Sequence, residues 1–181
     1  MATFDRRIFP VAVLAGLLFP AGAFAAEKGE LDTTGAMLQS ATGAADWLVT
    51  LPFVIPLIGS ALALALRGRI AFQSWVALLS MGLATIAAVA VFAKVLADGP
   101  QVMAVGNWLP PFGIVIAVDA LGALFVLITT LVGLVGLGYA RADTDQGSIQ
   151  YGFFTFYQLM IAGVCGAFST GDIFNLYVWF E

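Results

Sequence analysis

Long apolar stretches alternate with short polar segments along the chain from residue 47 onward. Four of these stretches contain few or no charges and are at least 20 residues long. About 20 consecutive apolar residues cross the hydrocarbon core of a bilayer as a helix, and a helix satisfies its own backbone hydrogen bonds there. The pattern therefore predicts four complete membrane-spanning helices, over about 47–66, 70–97, 119–140 and 147–169.

A fifth apolar stretch begins at Asp172 and reaches the last residue, Glu181. Thr170 and Gly171 predict a turn, and Asp172 is a residue type that caps the start of a helix. The segment 173–181 rises only about 13 Å as a helix, roughly half of a hydrocarbon core. We therefore expect an incomplete fifth span over 172–181 and a natural protein that continues beyond it.

The segment between the second and third spans is apolar but is not a predicted helix. Pro100, Pro110 and Pro111 would interrupt a helix. The runs 102–105 and 113–118 are rich in β-branched residues and flank turn-forming residues, which is typical of a β-hairpin. The sequence thus predicts a β-hairpin at the membrane surface between spans two and three.

The N-terminus resembles a targeting segment. Arg6 and Arg7 precede the apolar run 8–19, and an A-x-A sequence follows at 23–25. We expect a signal-peptide-like leader at 1–26; an uncleaved signal anchor is the alternative. Residues 27–46 then form a polar extracytoplasmic linker, and residues 47–181 form the transmembrane domain.

The distribution of basic residues gives the orientation. Arg67, Arg69 and Arg141 mark two connections as cytoplasmic, whereas Lys28 and Lys94 lie toward the other face. This bias is modest, but it agrees with the leader. We expect a multi-pass protein of a bacterial inner membrane, with its N-terminus outside the cytoplasm after the leader.

Composition excludes most other classes of protein. The chain is 61% hydrophobic and 10% charged, against about 45–50% and about 25% in soluble domains, so the fold is an all-α integral membrane protein. With no histidine and one cysteine, this chain cannot supply a haem, iron–sulfur or structural zinc site. We therefore expect no metal and no cofactor, and the net charge of −4 argues against nucleic acid.

Glu181 is the residue most indicative of function. A carboxylate near the bilayer centre costs a few kcal/mol on insertion scales, and such residues mark ion or proton paths. We interpret Glu181 as a proton-transfer residue. The alternative is that it ends a short span at an interface.

Other polar residues have more ordinary interpretations. Asp119 fits a helix cap better than a proton carrier, and Lys94 fits a snorkelling residue paired with Asp98 better than a transport role. Asp172 is a cap, and Asn175 is expected to form an interhelical hydrogen bond. Glycines within the spans predict close helix contacts: Gly133, Gly136, Gly138, Gly163 and Gly166.

The run from Phe153 to Glu181, which includes AFSTGDIFNLYVWFE at 167–181, resembles the fourth and fifth helices of the D subunit of Mrp-type multisubunit cation/proton antiporters. The segments 96–101 and 106–121 resemble the hairpin and third helix of that family, and 51–57 resembles its first helix. The similarity covers about 47–181. It extends more weakly to the antiporter-like membrane subunits of respiratory complex I and of membrane-bound hydrogenases.

The resemblance implies the N-terminal part of a bundle of about fourteen helices with inverted repeats. It implies that Glu181 transfers protons together with a lysine on a later helix outside this chain. It also implies partner subunits in a hetero-oligomeric complex that exchanges protons for a monovalent cation, with sodium expected. The alternative is a proton-pumping membrane subunit of an NADH-quinone oxidoreductase or a membrane-bound hydrogenase, and only that alternative would make the protein part of an enzyme.

Overall fold

The computed structural model describes residues 46–108 and 113–181. The predicted leader at 1–26 lies outside the described residues, as does the predicted linker except for Asp46. The tip of the predicted hairpin, at 109–112, is also outside them.

Three of the predicted spans are present at nearly their expected positions. A 3₁₀ turn at Asp46–Thr50 leads directly into helix α1, Leu51–Ala65; α2 is Ile70–Asp98, and α3 is Ala120–Asp143. Within the described residues, these three helices, counting the 3₁₀ turn with α1, are long and apolar enough to cross a membrane. The prediction of a multi-pass helical membrane protein is confirmed to this extent.

The fourth predicted span differs from the structure at its start. Instead of one helix from 147, there is a short helix α4, Gln146–Gln150, and then α5, Phe153–Phe168. Gly152 separates them with a φ of 100°, a left-handed conformation that ends a helix and favours glycine. Helix α5 is therefore 16 residues long, about 24 Å, and is a shorter apolar helix than the sequence predicted.

The four longer helices form a bundle. Helix α1 packs against α2 and α5, and α3 also packs against α2 and α5, which closes the ring. The contact face of α2 is built largely of small side chains, which let neighbouring helices approach closely; its fully buried apolar members are Ala77, Met81, Ala84 and Ala88. Large apolar side chains cover the outside, as a lipid-facing surface requires.

The two ends of the bundle have different chemistry. At one end, which we call the arginine end, Arg67 and Arg69 lie between α1 and α2, and the Arg141 guanidinium lies 3.8 Å from the ring centroid of Trp75. This cation–π contact joins the end of α3 to the start of α2. Asp145 caps α4 at the same end, and hydrogen bonds from the Ser148 hydroxyl and backbone N–H lower the pKa of its carboxyl group.

The opposite end, the hairpin end, carries the predicted β-hairpin. Strands β1, Gln101–Ala104, and β2, Val115–Val118, pair antiparallel with Gln101 opposite Val118 and Ala104 opposite Val115. The predicted hairpin is confirmed, and its place at the membrane surface stays a prediction. Helix α2 ends at this hairpin and α3 starts from it, so the hairpin fixes the spacing of the two helices.

Candidate functional site

The last helix of the chain, α6, Ile173–Phe180, starts from the hairpin end. Asp172 caps it: one carboxylate oxygen accepts from the backbone N–H of Asn175 at 2.6 Å. The other oxygen accepts from the backbone N–H of Val115 on β2 at 3.2 Å. The sequence predicted the cap, but not the second bond. Asp172 therefore connects α6 to the hairpin.

The segment 169–171, between α5 and α6, pairs with β2. The backbone N–H of Ala117 donates to the Ser169 carbonyl at 2.9 Å, and that of Gly171 donates to the Val115 carbonyl at 2.8 Å. Ile116 and Thr170 lie opposite each other in this pairing. We call the combination of β1, β2 and 169–171 the hairpin ribbon.

Asn175 completes this junction. Its side chain is buried, and its amide donates to the Thr170 hydroxyl at 2.8 Å. Among the described residues this bond is local, because Thr170 lies in the turn that leads into the same helix; a bond from Asn175 to another helix stays a prediction. The bond holds the first turn of α6 against the ribbon.

Helix α6 packs on α5 through glycines. A Cβ atom at Gly166 would overlap the ring of Trp179, and one at Gly163 would lie 3.2 Å from the Trp179 carbonyl oxygen. The Trp179 ring also makes an edge contact with Phe53 of α1, with 5.0 Å between ring centroids. Gly163 and Gly166 thus allow close helix contact as predicted.

The glycines of α3 divide into two groups. A Cβ at Gly133 would crowd Met81 and Ile161, and one at Gly136 would crowd the Tyr157 hydroxyl, so both are at close contacts. A Cβ at Gly138 would have no atom within 4 Å among the described residues. The prediction for Gly138 is therefore not supported by this part of the chain.

Glu181 follows directly after α6. Because α6 returns antiparallel along α5 from the hairpin end, Glu181 lies about 13 Å from the start of the helix along its axis. It is exposed, and it shares its side of the helix with Phe174, Tyr177 and Val178, which are 74%, 63% and 53% exposed. This side faces away from the bundle.

A groove of about 680 Å³ lies between α5 and α6 next to Glu181. Its other walls are apolar and include Leu159, Met160, Leu176 and Phe180. The carboxyl group of Glu181 is thus the only ionisable group lining this groove among the described residues.

The remaining predicted residues lie apart from Glu181, toward the hairpin end. Asp119 caps α3 by accepting from the Gly122 N–H at 2.7 Å, as expected. Lys94 is half-buried near the end of α2. Cys165 is completely buried in α5, in agreement with a packing role.

Several buried polar residues were not singled out from the sequence, and Gln73, Ser80, Thr155 and Gln158 are four of them. They lie inside stretches that were identified by the absence of charge. Counting uncharged polar side chains within the spans, and the glutamines in particular, would have found them.

Removing the carboxylate of Asp172 should cost more stability than removing that of Asp119. Asp172→Ala loses a helix cap, worth about 1 kcal/mol, and leaves the buried Val115 N–H unpaired, at a further cost of about 1–3 kcal/mol. Asp119→Ala loses only a cap. Asp172→Asn should lose an intermediate amount of stability, because its amide has one acceptor oxygen for the N–H groups of Val115 and Asn175. Thermal unfolding midpoints of the full-length variants in detergent measure the difference, and equal losses for the two alanine variants would contradict the assignment.

Two named relatives match most of the chain. It is 34% identical over 134 residues to the Na(+)/H(+) antiporter D subunit of Alkalihalophilus pseudofirmus, covering 74% of this chain and 27% of the relative. It is 37% identical over 145 residues to a protein of Rhizobium meliloti named as the D subunit of a probable K(+)/H(+) antiporter, covering 75% of this chain and 26% of the relative. The chain thus spans about a quarter of the length of these relatives. No family model matches the chain.

Two solved structures contain the same fold. One is the Mrp complex from Dietzia sp., with a TM-score of 0.69 and 28% identity over 76% of this chain and 25% of the matched chain. The other is the membrane-bound sulfane sulfur reductase, an archaeal respiratory membrane complex, with a TM-score of 0.68 and 26% identity over 72% of this chain and 27% of the matched chain.

Proposed function

Since the chain belongs to the family of D subunits of Mrp-type antiporters, we propose that it is part of a proton-translocating subunit of a multisubunit monovalent cation/proton antiporter. The proposal rests on the sequence identity of 34% and 37% to two antiporter D subunits, which extends over about three quarters of the chain. The matching fold of the Mrp complex supports it. Sodium is the proposed counter-ion. The related proteins are named for sodium and for potassium, so the assay includes both ions.

Within this proposal, Glu181 is the proton carrier of the described segment. Three features support the assignment: its distance of about 13 Å along α6 from the hairpin end, its place on the side of α6 that the described helices leave open, and its position beside an apolar groove. Ionisable residues within a membrane almost always face a protein interior or a water-filled cavity, and they mark ion or proton paths. Further helices of the complete protein, or partner subunits, would cover this side and supply the exchanging group.

The activity is tested in inverted membrane vesicles from cells that lack the subunit, with and without the complete protein supplied from a plasmid. After a pH gradient is imposed, added Na⁺ or K⁺ should dissipate it only when the complete protein is present. Dissipation that is the same without the protein would refute the proposal.

A second candidate function is a proton-pumping subunit of a respiratory complex, which the similarity to the sulfane sulfur reductase complex favours. The same vesicles distinguish the two. A respiratory subunit would support acidification only after an oxidisable electron donor is added, and Na⁺ or K⁺ would not affect it.

The proposed orientation places the arginine end in the cytoplasm of a bacterium and the hairpin end outside its inner membrane. This follows from the excess of arginine at one end. We expect a membrane-impermeant thiol reagent to label Gly68→Cys only from the cytoplasmic side and Val102→Cys only from the outside, each in a Cys165→Ala background. Both positions are exposed. The reverse labelling pattern would overturn the orientation.

A further inference from the structure

A strip of four polar side chains is buried where α2 and α5 meet, beside α1. Gln73 and Gln158 are 0% exposed, Thr155 is 4% exposed and Ser80 is 8% exposed. Gln73 and Ser80 lie seven residues apart on one face of α2, and Thr155 and Gln158 lie three residues apart on one face of α5. The Ser80 hydroxyl donates to Gln158 Oε1 at 2.5 Å and joins the two helices.

Most of the polar atoms in this strip have no hydrogen-bond partner. Gln73 Nε2, Gln73 Oε1, Thr155 Oγ1 and Gln158 Nε2 are all buried and unpaired among the described residues. Burying a donor or acceptor without a partner is unfavourable, because the atom loses its bonds to water and gains none in return. Exchanging the nitrogen and oxygen of the Gln73 amide does not help, because both of its polar atoms are unpaired.

The chemistry of the unpaired atoms identifies the ligand. Gln73 Nε2 and Gln158 Nε2 are donors, Gln73 Oε1 is an acceptor, and the Thr155 hydroxyl is both. A cation would satisfy only acceptors, and an anion would satisfy only donors. A water molecule donates and accepts, and buried waters in proteins make about three such bonds.

We propose that water molecules are bound between α2 and α5 by Gln73, Thr155 and Gln158. The site is separate from Glu181: Gln158 faces α2, whereas Glu181 lies beside the groove between α5 and α6. The proposal does not depend on the transport activity of the protein. With bound water, a continuous polar strip would extend inside the bundle from near its arginine end to the Ser80–Gln158 contact.

Gly59 on α1 closes one side of the strip. A Cβ atom at this position would overlap both Gln158 Oε1 and the Ser80 side chain. The bonded pair therefore packs directly against the backbone of α1. Three of the four unpaired atoms belong to Gln73 and Thr155, which lie on the part of the strip nearer the arginine end.

Hydroxyl-radical labelling by synchrotron X-rays tests the site, because radicals formed from a bound water react with side chains next to it. In the full-length protein with Thr155→Cys, we expect the introduced thiol to be labelled about tenfold faster than the native thiol of Cys165, since bound water reaches only the former. Cys165 is a matched control because it is fully buried on the same helix. A soluble scavenger removes radicals from bulk water, and adding Gln73→Leu and Gln158→Leu should abolish the difference. Equal labelling of the two thiols would overturn the proposal.

Thr155→Val gives a second readout that does not require a cysteine. If the hydroxyl binds water, its loss should lower the unfolding midpoint, because the water loses a partner. If the pocket is dry, replacing an unpaired hydroxyl with a methyl group of the same shape should raise the midpoint. A raised midpoint would overturn the proposal even if Thr155→Cys does not fold.

Discussion

Replacing Glu181 with glutamine in the complete protein should leave folding and assembly intact and reduce cation-dependent proton exchange by about a hundredfold or more, the scale on which a proton-transferring group acts. The amide keeps the shape of the side chain but cannot release a proton. Within residues 46–108 and 113–181, the carboxylate of Glu181 forms no hydrogen bond that the substitution could break. Dissipation of an imposed pH gradient in inverted vesicles measures the loss, and co-purification of partner subunits measures assembly.

Two variants sharpen this experiment. Glu181→Asp keeps a titrating group on a shorter side chain, so it should retain part of the exchange activity. Asp172→Asn also replaces a carboxylate by an amide, but at the start of α6, so its effect should be larger on the unfolding midpoint than on exchange. Wild-type exchange by an assembled Glu181→Gln variant would exclude the proton-carrier role of Glu181. It would not refute the proposed antiport activity, which is tested by comparing vesicles with and without the complete protein.

Gly166→Ala should destabilise the docking of α6 on α5. The added methyl group would occupy the position of the Trp179 ring. That ring cannot move away freely, because it also packs edge-on against the ring of Phe53. Overpacking of this kind costs about 1–3 kcal/mol. Because Trp179 is two residues from Glu181, a displaced ring would also move the proposed proton carrier. We expect a lower unfolding midpoint and a shift in tryptophan fluorescence.

Gly138→Ala is the matched control for this substitution. It also replaces a glycine inside a helix, but among the described residues no atom lies within 4 Å of the added methyl group. Its effect should be neutral or a stabilisation of about 0.5–1 kcal/mol from the lower flexibility of the unfolded chain. If both variants lose the same stability, the loss comes from replacing a glycine within a helix and not from the clash with Trp179.

The sequence was sufficient to predict the elements that depend on local composition. The long uncharged runs correspond to α1, α2 and α3, and the prolines with the flanking β-rich runs correspond to the hairpin. The cap roles of Asp119 and Asp172 were also predictable, because an acidic residue before an apolar helix bonds to the N–H groups of the first turn.

The sequence could not predict features that depend on tertiary packing. Gly152 is one small residue in an uncharged run, and only its left-handed backbone shows that α5 begins there. The pairing of Ser169 and Gly171 with β2 depends on where α5 ends relative to the hairpin. Gln73 and Gln158 can each be found by counting uncharged polar side chains, but their burial in one strip depends on how α2 and α5 pack.

The hairpin ribbon has a consequence for how this region varies among related proteins. Its bonds from Ala117 to Ser169 and from Gly171 to Val115 join main-chain atoms, which every residue except proline can supply. Apolar side chains at 115–117 can therefore be exchanged without loss of the ribbon. Gly171 is the exception, because a Cβ atom there would lie 2.9 Å from the Ala117 side chain. The shape of this region can therefore be inherited through backbone geometry while many of its side chains diverge. Among the described residues, Gly171, Asp172 and the bonded pair Thr170 and Asn175 tie it to particular residue identities.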